Sequence, residues 1–391
     1  MKQILTTVAA LCLAAPAFAD PDAKYRLIVA DNEAPRITVI DTAGEGMTRT
    51  FDLASPARVY MGPDGRHAWA LQRSAGQVQV IDTGLIEEDH GDHSALILET
   101  PAVLSPVATG DTPVHFNMGS DRVAVFWDGT GAATLHGPAG SGDLTPLATL
   151  DTGGPHHGVA VPVGDLTIVT VAPMGEGLPD ALAVVDMNGT ELSRIDCLNL
   201  HGEGKAGSFI AFGCEDGVAI FDTNATPPTS RFLPYPDDAP DGGMVRTLLS
   251  PANTLALIGN FGAEHIVIFD PSSETGDFSF TQLPAPRMSF ALDDSGQVGF
   301  AMLADGRMIR FSALTGRILA EAAGVTEAYS MDRGVVRPMM DVAMDQVAVS
   351  DPAAGRVVLL DAQTLDPVVQ LDVGGQPRSL ILLAAEADHD H

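Results

Sequence analysis

Short apolar runs that end in an acidic or turn residue recur along the whole chain. They are ITVIDT closing at Asp41, VQVIDT at Asp82, LAVVDM at Asp186, VAIFDT at Asp222, IVIFDP at Asp270, MIRFSA at Ser312 and VVLLDA at Asp361, with ATLHG at His136 filling the one wide gap. Their mean spacing is about 46 residues, which is the period of a four-stranded propeller blade. Inside the units, HAWALQR, QVQVID and DRVAVFW alternate with period two, carry β-branched and aromatic residues, and are bounded by the turn-forming PDG, AGQ and SD. No stretch of a dozen residues keeps a 3.6-residue period, which leaves room only for short helices in the longer connections.

A second marker gives the same count. Each unit opens with a short strand after a turn: PARVYMG, PVHFNMG, HHGVAVP, LHGEGKA, MVRTLLS, PRMSFAL, VRPMMDV and PRSLILL. Aligned on their basic residue, these openings put Arg58, His115, His157, His201, Arg246, Arg287, Arg337 and Arg378 at equivalent positions. Eight openings predict an all-β, eight-bladed β-propeller. The last opening, around Arg378 to Leu383, has no outer strands after it, and KYRLIVAD and RITVIDT have no opening strand before them. The C-terminal strand is therefore expected to close the blade begun by the N-terminal strands, removing the free sheet edges. Residues 20–391 are read as one domain.

The N-terminus changes the picture of where the ring works. Lys2 precedes the apolar run ILTTVAALCLAAPAF, and Ala17 and Ala19 flank Phe18 before Asp20, so residues 1–19 read as a secretory signal peptide cleaved after Ala19. The run is too short for a transmembrane anchor, no other stretch is long and apolar enough to span a bilayer, and Leu11 before Cys12 does not suit lipid attachment. A soluble protein of the Gram-negative periplasm is expected. With 21 Lys+Arg against 51 Asp+Glu, the net charge of -30 excludes a nucleic-acid binder, because phosphate contacts need a basic footprint. Apolar residues at 45% exclude disorder, and 40 Gly with 27 Pro disfavour a helical bundle. In the exported chain, Cys197 and Cys214 are expected to form a disulfide rather than a thiolate metal site.

The opening strand of a blade is its innermost, so the residue that begins it faces the central channel. Three of those positions in consecutive blades are His115, His157 and His201, a candidate three-nitrogen metal face; zinc suits three imidazoles plus a carboxylate or water, and copper or nickel would also accept imidazole. A lone histidine is more often a core residue bonded to a carbonyl; coincidence at three equivalent positions favours metal. Gly158 and Gly202, each after a ring histidine, are expected to keep the channel open to an ion. Candidates for a fourth ligand are Glu203, Asp341, Asp241 and His156, in decreasing order. The five arginines at the remaining positions would repel a dication unless acids such as Asp111, Asp241 and Asp341 neutralise them or they lie at another depth. If neither holds, the channel is an anion site.

Two clusters stand apart from the ring. Residues 87–93 read EEDHGDH, with Asp89, His90, Asp92 and His93 as candidate ligands of a soft-to-borderline dication on a flexible loop, and the chain ends in Asp388, His389, Asp390 and His391. A solvated turn and an incidental tail are the plainer readings. The sequence holds no G-x-S-x-G, H-E-x-x-H, P-loop, dinucleotide or C-x-x-C-H pattern. Three histidines with an open position are nonetheless how a hydrolytic zinc is held, so a metal-dependent hydrolase or lyase is the alternative to a carrier.

The signal peptide, the eight-fold repeat, GPHHGVAV, LHGEGKAGSFIAFGCEDGVAIFD and the internal DHGDH together resemble the AztD family of periplasmic zinc chaperones, over essentially the whole mature chain. The repeat is unspecific; HHG, HGEG with the two cysteines, and the acidic histidine loop carry the resemblance. It implies zinc binding in the periplasm and direct transfer to the solute-binding protein of a zinc ABC importer, without catalysis, membrane insertion or nucleic acid. A monomer is expected.

Overall fold

The structure is a computed structural model that describes residues 24–42, 46–89, 94–105, 107–137, 144–251 and 254–385. The signal-peptide reading, His90 to His93 of the acidic loop, and the C-terminal Asp388 to His391 lie outside the described residues. Among the described residues regular structure is all β apart from a single 3₁₀ turn at Arg73–Ala75, and no helix is long and apolar enough to cross a membrane.

Among the described residues eight antiparallel blade sheets follow one another along the chain, with a separate two-stranded hairpin of Leu85–Asp89 and Ser94–Leu98 following the third strand of the second. Seven are four-stranded; the second carries two short strands, Ala102–Val103 and Ala108–Thr109, along its outer edge. The C-terminal strand Pro377–Ala385 pairs with Lys24–Asp31, with Ile28 opposite Ile381, so the first blade runs from the C-terminal strand through Lys24–Asp31 and Arg36–Asp41 to Thr48–Asp52. This is the closure read from the unmatched ends of the repeat. The apolar runs that set the period are the third strand of each blade. Their terminal acids hold the turn to the fourth strand: Asp186 Oδ1 accepts the N–H groups of Asn188 and Thr190, and Asp361 Oδ1 those of Gln363 and Thr364.

Among the described residues, eight clusters of buried apolar side chains lie between successive blades, one joining blade eight to blade one through Leu359 and Leu382. That packing gives the alternation its meaning. HAWALQ and VAVFW show alternating residue types, yet every residue of His67–Gln72 and Val123–Trp127 is buried. A second strand has a blade on each side, so alternation marks which neighbour a side chain meets. Ala68 and Ala70 pack toward the first blade, and Trp69 and Leu71 toward the third. The polar-out pattern appears on fourth strands, where Glu191–Asp196 and Pro367–Asp372 are largely exposed. Among the buried charged side chains, Arg26, 1% exposed, donates to both Asp41 oxygens and to the carbonyls of Thr83 and Glu99, tying the first blade to the second.

Candidate metal centre

The third, fourth and fifth blades bring His115, His157 and His201 side by side at the start of their innermost strands. His115 lies on Pro113–Met118; His157 and His201 precede Ala160–Val163 and Glu203–Ala206. His115 Nε2 stands 3.2 Å from His157 Nε2. Two nitrogens bound to one tetrahedral zinc at about 2.0–2.1 Å are about 3.3 Å apart, so this pair already has ligand spacing. The His201 ring is set wider, its centroid 5.6 Å from that of His157. Among the described residues no group of three or more His, Cys, Asp or Glu side chains has its donor atoms already gathered around one point for a metal.

The second ring nitrogens settle which atoms face the channel. His157 Nδ1 is 2.7 Å from Asp128 Oδ2, and His201 Nδ1 is 2.8 Å from the Arg246 carbonyl oxygen. A carbonyl oxygen can only accept, and an ionised carboxylate likewise, so both histidines carry their hydrogen on Nδ1 and expose an Nε2 lone pair. Pairing of the outer nitrogen with a carboxylate or carbonyl is the arrangement that orients metal-binding imidazoles. His115 then donates its Nε2–H to His157 Nε2. Burial, reinforced by His157 and Arg58, holds the His115 imidazole well below its usual range, and burial also lowers His201. These two rings are therefore neutral at pH 7, the form that binds metal.

Backbone features fix the histidine-bearing turns. A Cβ on Gly158 would fall 2.3 Å from Thr170 Oγ1 and 2.4 Å from Phe126 Cζ. Gly202 has φ +83°, and a Cβ there would meet the Arg246 carbonyl at 2.4 Å, the same carbonyl that receives His201 Nδ1–H. These glycines permit close backbone packing; they do not clear the channel, as the sequence suggested. The Cys197–Cys214 disulfide pins the start of the segment that leads to His201, and His201 N–H donates to Gly213 oxygen.

The fourth-ligand candidates separate. Glu203 is half-buried; burial pushes its carboxyl up, opposed by the Asn117 side chain, Arg58 and His157. His156 is turned into the core, with Nδ1 on the Gly154 carbonyl and Nε2 on Thr170 Oγ1, so neither nitrogen is available. The bend that carries the two adjacent histidines sends them different ways: His156 is buried against Thr170, while His157 stands beside His115 and Asp128. Asp341 accepts the Leu382 N–H, with its carboxyl pushed up to about 6 by burial, and Asp241 is exposed in a turn. Neither joins the triad. Glu87 and Glu88 sit exposed on a hairpin strand, Leu85–Asp89, paired with Ser94–Leu98; the candidate ligands between those strands are not described.

The acids expected to neutralise the ring arginines do not. Among the described residues Arg58, Arg246, Arg287, Arg337 and Arg378 form no ion pair. Arg58 and Arg287 lie instead over Tyr60 and Phe290 at 5.1 and 4.4 Å, and Arg337 donates to the Met331 carbonyl. Sequence reasoning missed Asp128. Its signal was an acid just past the second strand of the blade that precedes His157.

No family model matches the chain. A curated relative from Citrobacter koseri, described as zinc chaperone AztD, is 31% identical over 392 residues, covering 96% of this chain and 92% of the relative. The crystal structure of Citrobacter koseri AztD superposes with a TM-score of 0.87 at 30% identity, covering 94% of this chain and all of that one. The structure of the apo form superposes at 0.84 with 29% identity, over 93% of this chain and 99% of that one.

Proposed function

The chain belongs to the AztD family of zinc chaperones, and from that premise we propose that it carries zinc on Nε2 of His115, His157 and His201 and hands it to the solute-binding protein of a zinc importer. The observation that carries the assignment is the pair of outer contacts, His157 Nδ1 to Asp128 and His201 Nδ1 to the Arg246 carbonyl, which leave the two Nε2 atoms free of hydrogen, that of His157 3.2 Å from His115 Nε2. In this reading zinc is cargo and the chain is a carrier, not an enzyme. The signal-peptide pattern supports a periplasmic location, and the carrier is read as a monomer.

Without metal, His115 and His157 share an N–H···N bond. Zinc replaces it once the His115 proton moves to its own Nδ1 or to solvent. The His201 ring closes the remaining gap while keeping its hold on Arg246. Three neutral donors leave one position, for water, for Glu203, or for a ligand offered by the receiving protein. That open position lets ligands exchange one at a time, so transfer does not require the ion to be fully released. Asp89, His90, Asp92 and His93 supply a second, more exposed zinc site in this reading.

The test is zinc stoichiometry and affinity of untagged protein carrying His115→Ala, His157→Ala and His201→Ala together. Loss of the tight site supports the reading; unchanged stoichiometry and affinity overturn it.

A further inference from the structure

We propose that the channel mouth holds a second binding site, for a small polyvalent oxyanion, in the basin formed by Arg58, Arg73 and Arg378. Around the ring, histidines occupy blades three to five, and arginines occupy the unbroken arc of blades six, seven, eight, one and two. Where that arc meets His115, a cavity of 340 Å³ opens, lined by the three arginines with Asn32, Ser74 and Ser379 among its polar groups and no carboxylate.

Their lack of partners is the informative point. The chain has 51 acidic residues for 21 Lys and Arg, so a guanidinium left without a carboxylate runs against composition. Among the described residues none of the three forms an ion pair; Arg378 reaches only Asn32 Oδ1, at 3.3 Å, and Arg58 lies over the Tyr60 ring. Asp111 lines an adjoining groove with Arg73, but its carboxylate accepts from Thr112 Oγ1 at 2.8 Å. Glu203 is within Coulomb range of Arg58 without contacting it as an ion pair. The guanidiniums also repel one another, since Arg378 is held below its usual range by burial and then by Arg58. A ligand with several oxygens relieves that repulsion, and the planar forks match carboxylate or phosphate edges two bonds at a time, which a halide cannot.

Metal-free protein is titrated calorimetrically with sodium phosphate and, separately, with disodium succinate, each at ionic strength matched with sodium chloride. Saturable one-to-one binding of either probe is expected; phosphate alone assigns a tetrahedral oxyanion and succinate alone a carboxylate. Affinity should fall by about tenfold or more in Arg58→Gln/Arg378→Gln, and part of the way in Arg73→Gln, as loss of charged hydrogen bonds requires. Arg49→Gln, which removes the same charge from the outer strand of the first blade, should leave it unchanged. Failure of both probes to saturate, or equal binding by the double variant and the native protein, overturns the proposal. Because no zinc is present, the outcome stands apart from the fate of the histidine assignment.

Discussion

Replacing Asp128 with Asn changes almost no volume and touches no metal donor, yet it should weaken zinc binding. The carboxylate holds His157 Nδ1–H at 2.7 Å, which aims Nε2 at the channel and makes that nitrogen a better donor. Asn keeps one acceptor oxygen but no charge, and its amide can turn to offer N–H to Nδ1. That turn would push the histidine hydrogen onto Nε2, the atom required for metal. Loss of such an outer contact costs about 10- to 100-fold in metal affinity, or about 1.4–2.7 kcal/mol. Asp128→Ala should cost less than Asn, because the His157 side chain is 35% exposed and water can receive its Nδ1–H. The assay is competition against a chelator of known zinc affinity at pH 7.5, with unfolding curves to show that each variant remains folded. Affinity within twofold of the native protein for Asp128→Asn would refute the reasoning.

Gly158→Ala should destabilise the fold by about 1–3 kcal/mol, because its Cβ overlaps Thr170, Phe126 and His156, and it should weaken zinc binding through displacement of His157; chemical denaturation and the same competition assay check both. Arg26→Ala leaves the Asp41 carboxylate and two carbonyls without their cation and should cost about 3–5 kcal/mol by urea unfolding, with zinc affinity unchanged in the folded fraction. Asp341 has a carboxyl raised from 3.8 to about 6, so the folded state holds its proton more tightly than the unfolded chain does. Its contribution is fully present below pH 4 and is lost as pH rises through about 6. Asp341→Asn should therefore add about 1–3 kcal/mol at pH 7 and nothing near pH 4, read as unfolding midpoints across that range.

The number of blades and the closure of the ring were legible because each blade repeats one local pattern, and the unmatched strands at the two ends had only each other to pair with. The three histidines were legible for the same reason, since equivalent positions in a repeat become neighbours around a ring. What surrounds them was not. Asp128 reaches His157 from the preceding blade, and the Arg246 carbonyl reaches His201 from the following one, so neither contact leaves a mark near the histidine it orients. His156 and His157 are indistinguishable by composition; the bend ahead of Ala160–Val163 decides that one enters the core and the other stands beside His115. The glycines beside the histidines invited a reading in terms of ligand access, whereas the packing distances assign them to backbone approach. The arginine arc was visible as a row of basic residues, but that its members lack carboxylates is a property of the folded ring.

Zinc-edge anomalous diffraction from crystals of the zinc-loaded protein locates the ion without reference to any substitution. A strong peak is expected at the channel mouth, about 2.0–2.1 Å from Nε2 of His115, His157 and His201, with His157 Nδ1 still on Asp128. A fully occupied peak elsewhere, with none at the three histidines, would contradict the assignment.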